Sequence, residues 1–206
     1  MYVALFAPYS YERHQDFIAW SLSQQHCELY ASCETSDNHQ VELLKIAGAP
    51  NAQKNVWIIA RQHPAETMAE WFMEGLLEEL LGQSNQLHQA LLANTNFYVV
   101  ANMNPDGSVE GNLRTNGMGI DLNRAWLNPN IQQAPESHFI FKHMKDIGVD
   151  LFVDVHGDED VPFAFIQGCE GIPSYNEELQ ARENKFKVDL HNATPDFLYR
   201  KWLPVL

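Results

Sequence analysis

Short apolar runs that end in turn residues alternate along this chain with longer stretches in which apolar residues recur every three or four positions. A compact apolar run rich in β-branched and aromatic residues reads as a buried strand, whereas the three-to-four period paints one stripe of a helix. Their alternation confines the chain to a layered α/β domain in which helices cover a sheet. Strands are predicted at 2–7, 41–47, 56–60, 97–101, 151–155 and 163–167, and helices at 11–25, 65–81, 135–147 and 175–191. In the second helix Trp71, Leu76, Leu77, Leu80 and Leu81 are expected to face the sheet, and Glu70, Glu74, Glu78 and Glu79 the water. No repeat, low-complexity tract or linker divides the 206 residues, so a single domain is expected.

Charge narrows the partners. The formal net charge is −14, and a chain so acidic lacks the basic face that nucleic acid or an anionic membrane requires, although a local basic pocket remains compatible with it. No run reaches the roughly 18 consecutive apolar residues of a membrane-spanning helix. The opening residues Met1 to Phe6 lack the basic leader and cleavage site of a secretory signal and read as a core strand. Cys27, Cys33 and Cys169 are an odd number without CxxC spacing, which argues against a disulfide framework or a thiolate zinc site. A reducing, cytoplasmic setting is the expectation.

Candidate chemistry starts with His63-Pro64-Ala65-Glu66, between the strand at 56–60 and the Glu-rich helix. A His and a Glu three apart at a helix start can point into one crevice and offer a nitrogen and a carboxylate to one Zn²⁺. The spacing by itself is common: His39 with Glu42 and His156 with Glu159 repeat it. Position separates the three. His63 follows a strand's carboxyl end, where open α/β sheets bind ligands, and His156 follows the apolar run Leu151 to Val155 in the same way. His63, Glu66 and His156 together give three protein ligands and leave a fourth position for water, the pattern of a catalytic zinc site. Residues 102–130 show little periodicity and contain Pro105, Gly107, Gly111, Gly117 and Gly119, the composition of a long functional loop. Within it lie Arg114 and Arg124, whose guanidinium forks suit a substrate carboxylate or a developing oxyanion.

Read in order, four stretches resemble the M14 family of zinc carboxypeptidases, and within it the cytosolic carboxypeptidase-like subgroup. They are Arg61 to Trp71, Asn104-Pro105-Asp106-Gly107, Gly119 to Arg124, and Asp154-Val155-His156-Gly157-Asp158, within a resemblance that covers about 9–171. The resemblance implies a three-layer α/β/α domain around a mixed, mostly parallel sheet. It implies that His63, Glu66 and His156 bind zinc with water, and that Asp121 accepts a hydrogen bond from the first zinc histidine. Asn123 and Arg124 match the pair that grips the substrate's terminal carboxylate, and Arg114 matches the arginine that polarises the scissile carbonyl. The implied activity is hydrolysis of a C-terminal peptide bond of peptides or proteins, with acidic leaving residues.

Two departures shape the expectation. Ala65 stands where many subgroup members carry Gly, which an ordinary helix start accommodates. Between Gly171 and Leu206 nothing matches the family's general-base Glu, and no β-sandwich precedes the catalytic motifs. These 206 residues are therefore expected to be part of a longer catalytic unit. Two other functions fit the same residues: a zinc-dependent deacylase of small acylated amino acids, and a silent module that binds zinc and carboxylates.

Overall fold

The computed structural model describes residues 4, 6–82, 86–161, 163–194 and 196–197, and the side chains of 86–88 are not described. By internal packing it divides into two units, Met1–Gly157 and Asp158–Leu206.

In the first unit the elements run α1 (Tyr11–Ser23), β1 (Cys27–Glu34), β2 (Gln40–Ile46), β3 (Lys54–Ala60), α2 (Met68–Leu81), α3 (Gln86–Leu92), β4 (Thr95–Val100), α4 (Pro105–Glu110), a 3-10 turn (Leu122–Arg124), α5 (Pro135–Ile147) and β5 (Leu151–Val155). The strands form one mixed sheet in the order β1-β2-β4-β3-β5. β1 with β2 and β2 with β4 are antiparallel, whereas β3 runs parallel to both β4 and β5. Alternate residues of each strand face opposite ways, so the sheet feeds two cores. Ile58 and Ala60 pack with Phe17 and Ile18 of α1 and Met73 and Leu77 of α2 on one face. Trp57 and Ile59 pack with Leu122 and with Ile140 of α5 on the other. Helices on both faces of a mixed sheet make the expected α/β layering.

Several local expectations need correction. Of the strand expected at 2–7, residues 2, 3 and 5 lie outside the described residues, and the described Ala4, Phe6 and Ala7 are not in a strand. The second helix starts at Met68 rather than 65, because residues 63–67 form the tight turns that carry the candidate ligands. On that helix Glu70 is fully buried and Trp71 is exposed, the reverse of the expected faces. Glu70 is drawn inward by Arg61 and His14. Trp71 lies under the Arg13 guanidinium, 4.1 Å from its ring centroid, and donates its indole N–H to the Ala7 carbonyl at 3.3 Å.

In the second unit α6 (Glu177–Ala193) starts at Asn176, whose side chain accepts from the Leu179 N–H. The strand expected at 163–167 does not form; Ala164 makes one isolated bridge to Phe197. Alternating apolar residues were present there, but among the described residues no neighbouring strand continues the ladder that would hold them extended. Among the described residues no helix is long and apolar enough to cross a membrane.

Candidate metal centre

The three parallel strands β4, β3 and β5 lie side by side, and their carboxyl ends deliver the three segments that build the site. From β3 the chain enters Arg61 with φ at +56°, a left-handed conformation that turns the backbone at once toward His63. The Arg61 side chain then reaches over its own loop: Nε donates to the Pro64 carbonyl at 2.9 Å, Nη1 to the Tyr9 carbonyl at 3.3 Å, and Nη1 also pairs with Glu70. From β4 the chain reaches Asn104, which caps α4 by accepting from the Gly107 N–H at 3.0 Å and donates to the Gln62 carbonyl at 2.9 Å. From β5 it reaches His156 and Gly157.

His63 and His156 both turn their Nδ1 atoms to one carboxylate. His63 Nδ1 lies 2.7 Å from Glu66 Oε1 and His156 Nδ1 lies 2.8 Å from Glu66 Oε2, while the Gly157 N–H donates to Oε2 at 2.9 Å. One ligand atom from each of the three residues falls within 4.8 Å of the others, the one such group among the described residues. Nitrogen and oxygen atoms each about 2 Å from one zinc ion fit inside that span. Burial alone would raise the Glu66 pKa, but the bonds from His156, His63 and the Gly157 N–H outweigh it and hold the carboxyl at about 2. Burial opposes charge on His156 too, yet Asp154 and Glu66 raise it to about 9. A divalent cation bound by these groups would take the place of the proton on His156 Nδ1 beside the Glu66 carboxylate.

The far nitrogens are also tied down. His156 Nε2 donates to Asp154 Oδ2 at 2.9 Å, and His63 Nε2 lies 3.2 Å from Asp121 Oδ1. A metal at Nδ1 leaves the one remaining ring hydrogen on Nε2, where these carboxylates accept it and set the ring's orientation. Burial raises Asp121 and the nearby His63 lowers it, with the net direction downward, so it stays an acceptor. Arg114 Nη2 approaches His63 Nε2 to 3.0 Å and Asp121 Oδ2 to 3.4 Å. A guanidinium only donates, so with the ring hydrogen on Nε2 its partner is Asp121. The Arg114 side chain is 46% exposed, free to meet a ligand.

Asp121 starts the 3-10 turn by accepting from the Asn123 N–H at 3.0 Å. Arg124 is exposed and donates to the Asn123 carbonyl at 3.1 Å. The structure therefore brings His63, Glu66, His156, Asp121 and Arg114 into one bonded cluster and sets Asn123 and Arg124 on the turn that follows Asp121. His39 and Glu42 separate: His39 bonds to Asp106 at 2.8 Å and Glu42 to His14 at 3.3 Å. His156 bonds to Glu66 and Asp154 rather than to Glu159. Sequence reasoning gave no role to Asp154 or Gln62, although an acid inside the apolar run Leu151 to Val155 is a signal of a paired buried carboxylate.

The zinc carboxypeptidase family model matches residues 21–193. The chain belongs to the M14 zinc carboxypeptidases. An uncharacterized protein of Zymomonas mobilis is 40% identical to it over 196 residues, covering 95% of this chain and 51% of that protein. Mouse cytosolic carboxypeptidase 3 is 32% identical over 209 residues, 95% of this chain and 21% of that one. Among solved structures, the Pseudomonas aeruginosa metallo-carboxypeptidase in complex with (2-guanidinoethylmercapto)succinic acid superposes with a TM-score of 0.93 at 44% identity, covering 97% of this chain and 53% of that one. This M14 chain thus spans about half the length of the first of these relatives and of the solved structure, and less of the mouse protein.

Proposed function

We propose that this chain supplies the zinc-binding and carboxylate-recognising part of a metallocarboxypeptidase that hydrolyses the C-terminal peptide bond of peptides or proteins. The observation that carries the reading is the convergence of both Nδ1 atoms on Glu66 with a carboxylate behind each far nitrogen. His63, Glu66 and His156 hold the zinc, and Asp121 keeps the hydrogen of His63 on Nε2. Zinc, when bound there, supplies a Lewis acid that polarises a carbonyl and acidifies water toward a pKa of about 7.

The protein's own groups do the rest. Arg114, exposed beside His63, donates to the scissile carbonyl oxygen as negative charge grows on it. Asn123 and Arg124 take the substrate's terminal carboxylate, the guanidinium by a two-pronged bond. Proton removal from the attacking water requires a free carboxylate within hydrogen-bond reach. Glu66, Asp121 and Asp154 already accept two or more hydrogen bonds each, so the base belongs to a residue outside these motifs. Acidic leaving residues suit Arg114 and Arg124, whose local field has to outweigh the chain's net charge of −14. Three free cysteines agree with a reducing compartment.

Metal analysis with a release assay on peptides ending in Glu, Lys or Phe tests the proposal. One zinc per chain is expected, lost in His63→Ala and in His156→Ala because two protein ligands hold zinc poorly. Zinc retained by either variant overturns the site. In the active protein, Arg124→Ala is expected to raise KM for substrates with a free C-terminus, and Arg114→Ala to lower kcat.

A further inference from the structure

Gln62 precedes His63 and is completely buried, yet its side chain points away from the metal group. Its Nε2 donates to Asp154 Oδ2 at 2.6 Å, and its Oε1 accepts from the Trp126 indole N–H at 2.8 Å. The indole can only donate, so it fixes the amide with oxygen toward Trp126 and NH2 toward Asp154. Asp154 Oδ2 accepts from His156 Nε2 as well, at 2.9 Å, while Asp154 Oδ1 is buried without a hydrogen-bond partner. The grip of Asp154 on the histidine ring therefore rests on one oxygen, and that oxygen is held in place by Gln62. Trp126 lies two residues beyond Arg124, at the end of the segment that carries Asp121 and Asn123. One amide thus bridges the turn that bears the carboxylate grip and the carboxylate that orients a metal histidine.

We propose that Gln62 is a positioning residue that couples the two binding events: through Asp154 it holds His156 with Nδ1 ready for zinc, and through Trp126 it seats the Asn123–Arg124 turn. The coupling rests on the reading of His63, Glu66 and His156 as zinc ligands and of Asn123 with Arg124 as the carboxylate grip. A donor on the far side of Gln62 then influences a metal ligand it does not touch. Filling of the metal site also firms the turn, because linked binding equilibria are reciprocal.

The test compares the unmodified protein with Gln62→Ala, Trp126→Phe and the double variant. Zinc affinity is measured by competition with a chelator. Affinity of the zinc-loaded protein for (2-guanidinoethylmercapto)succinic acid is measured by calorimetry, and Tm and circular dichroism establish that each variant is folded. Gln62→Ala is expected to weaken zinc binding about 10-fold, the lower end of what losing a ligand's supporting partner costs, and to weaken binding of the succinic acid. Trp126→Phe, at a partly exposed position, is expected to weaken zinc binding in the same direction, and the double variant to be no worse than Gln62→Ala. A folded Trp126→Phe with unchanged zinc affinity overturns the coupling, as do effects that add in the double variant, since independent sites add. If the unmodified protein binds no zinc, the metal-site reading itself fails and the coupling falls with it.

Discussion

Beneath the His63 loop four ionisable side chains form a chain of contacts: Glu42 to His14, His14 to Glu70, Glu70 to Arg61. Asn102 also donates to Glu70, at 3.4 Å. Burial opposes charge on His14, but its bonds to Glu42 and Glu70 outweigh it and raise the pKa to about 9. With His14 protonated the group carries two positive and two negative charges and needs no further counterion. Removing one member leaves the others uncompensated, a loss that typically costs about 3–5 kcal/mol. Glu70→Gln is therefore expected to lower Tm strongly in differential scanning calorimetry. The pH dependence follows from the sign of the shift. A folded-state pKa above the unfolded value of 6.5 gives stability that is complete below pH 6.5 and is lost as pH rises through about 9. Glu136 acts in the same direction at lower pH: burial lifts it from 4.5 to about 7, so its contribution fades between those values. Stability curves measured from pH 4 to pH 10 are expected to lose the lower part of this decline in Glu136→Gln and to show a shallower upper part in His14→Gln, since His156, also raised to about 9, contributes in the same range. An unaltered slope in both variants excludes these groups as its source.

At the scale of elements, the shortest α-helix, α4, holds a glycine against backbone and a proline ring. A Cβ at Gly107 in α4 would lie 2.4 Å from the Thr115 carbonyl oxygen and 2.5 Å from Pro64 Cγ. Backbone and a proline ring cannot step aside cheaply, so Gly107→Ala is expected to cost about 1–3 kcal/mol, read as a fall in Tm. Gly157→Ala makes the instructive contrast. Its Cβ meets the Met68 side chain, which is flexible enough to move, and the smaller fall in Tm is expected there. The packing of α4 also shows what the sequence did and did not make legible. Strands β2 to β5 and helices α1, α2, α5 and α6 were readable within a few residues because each shows an apolar run or a helical stripe. α4 was hidden inside the long loop, since its six residues include Pro105 and Gly107 and its stability comes from the Asn104 cap. β1 was missed because Cys27 to Glu34 mixes small, polar and aromatic residues, and as an edge strand it is mostly exposed. The candidate ligand positions, which the fold brings together, were visible because both histidines follow apolar strands. The inversion of Glu70 and Trp71 was not, because a buried acid is explained only by partners that are distant in the chain, such as His14 at a separation of 56 residues.

Across the whole molecule, a net charge of −14 surrounds a site fringed by Arg114 and Arg124. Salt shortens the reach of the overall field, from a Debye length of about 30 Å at 0.01 M to about 8 Å at 0.15 M, and affects the close approach to the arginines less. Association of a peptide ending in Glu is expected to quicken over that range and that of a peptide ending in Lys to slow, as followed by stopped-flow fluorescence. A slower Glu peptide at higher salt means that the local arginine field governs approach instead. The spacing of the metal group along the chain carries one more consequence. Glu66 and His156 are 90 residues apart and meet only because β5 pairs with β3. While the chain is being made, the ribosome must release all of β5 before that pairing can form. Until then only His63 and Glu66 are present, and a two-donor fragment holds an ion weakly. With His63, Glu66 and His156 as the proposed ligands, the full donor set exists only once the sheet has closed.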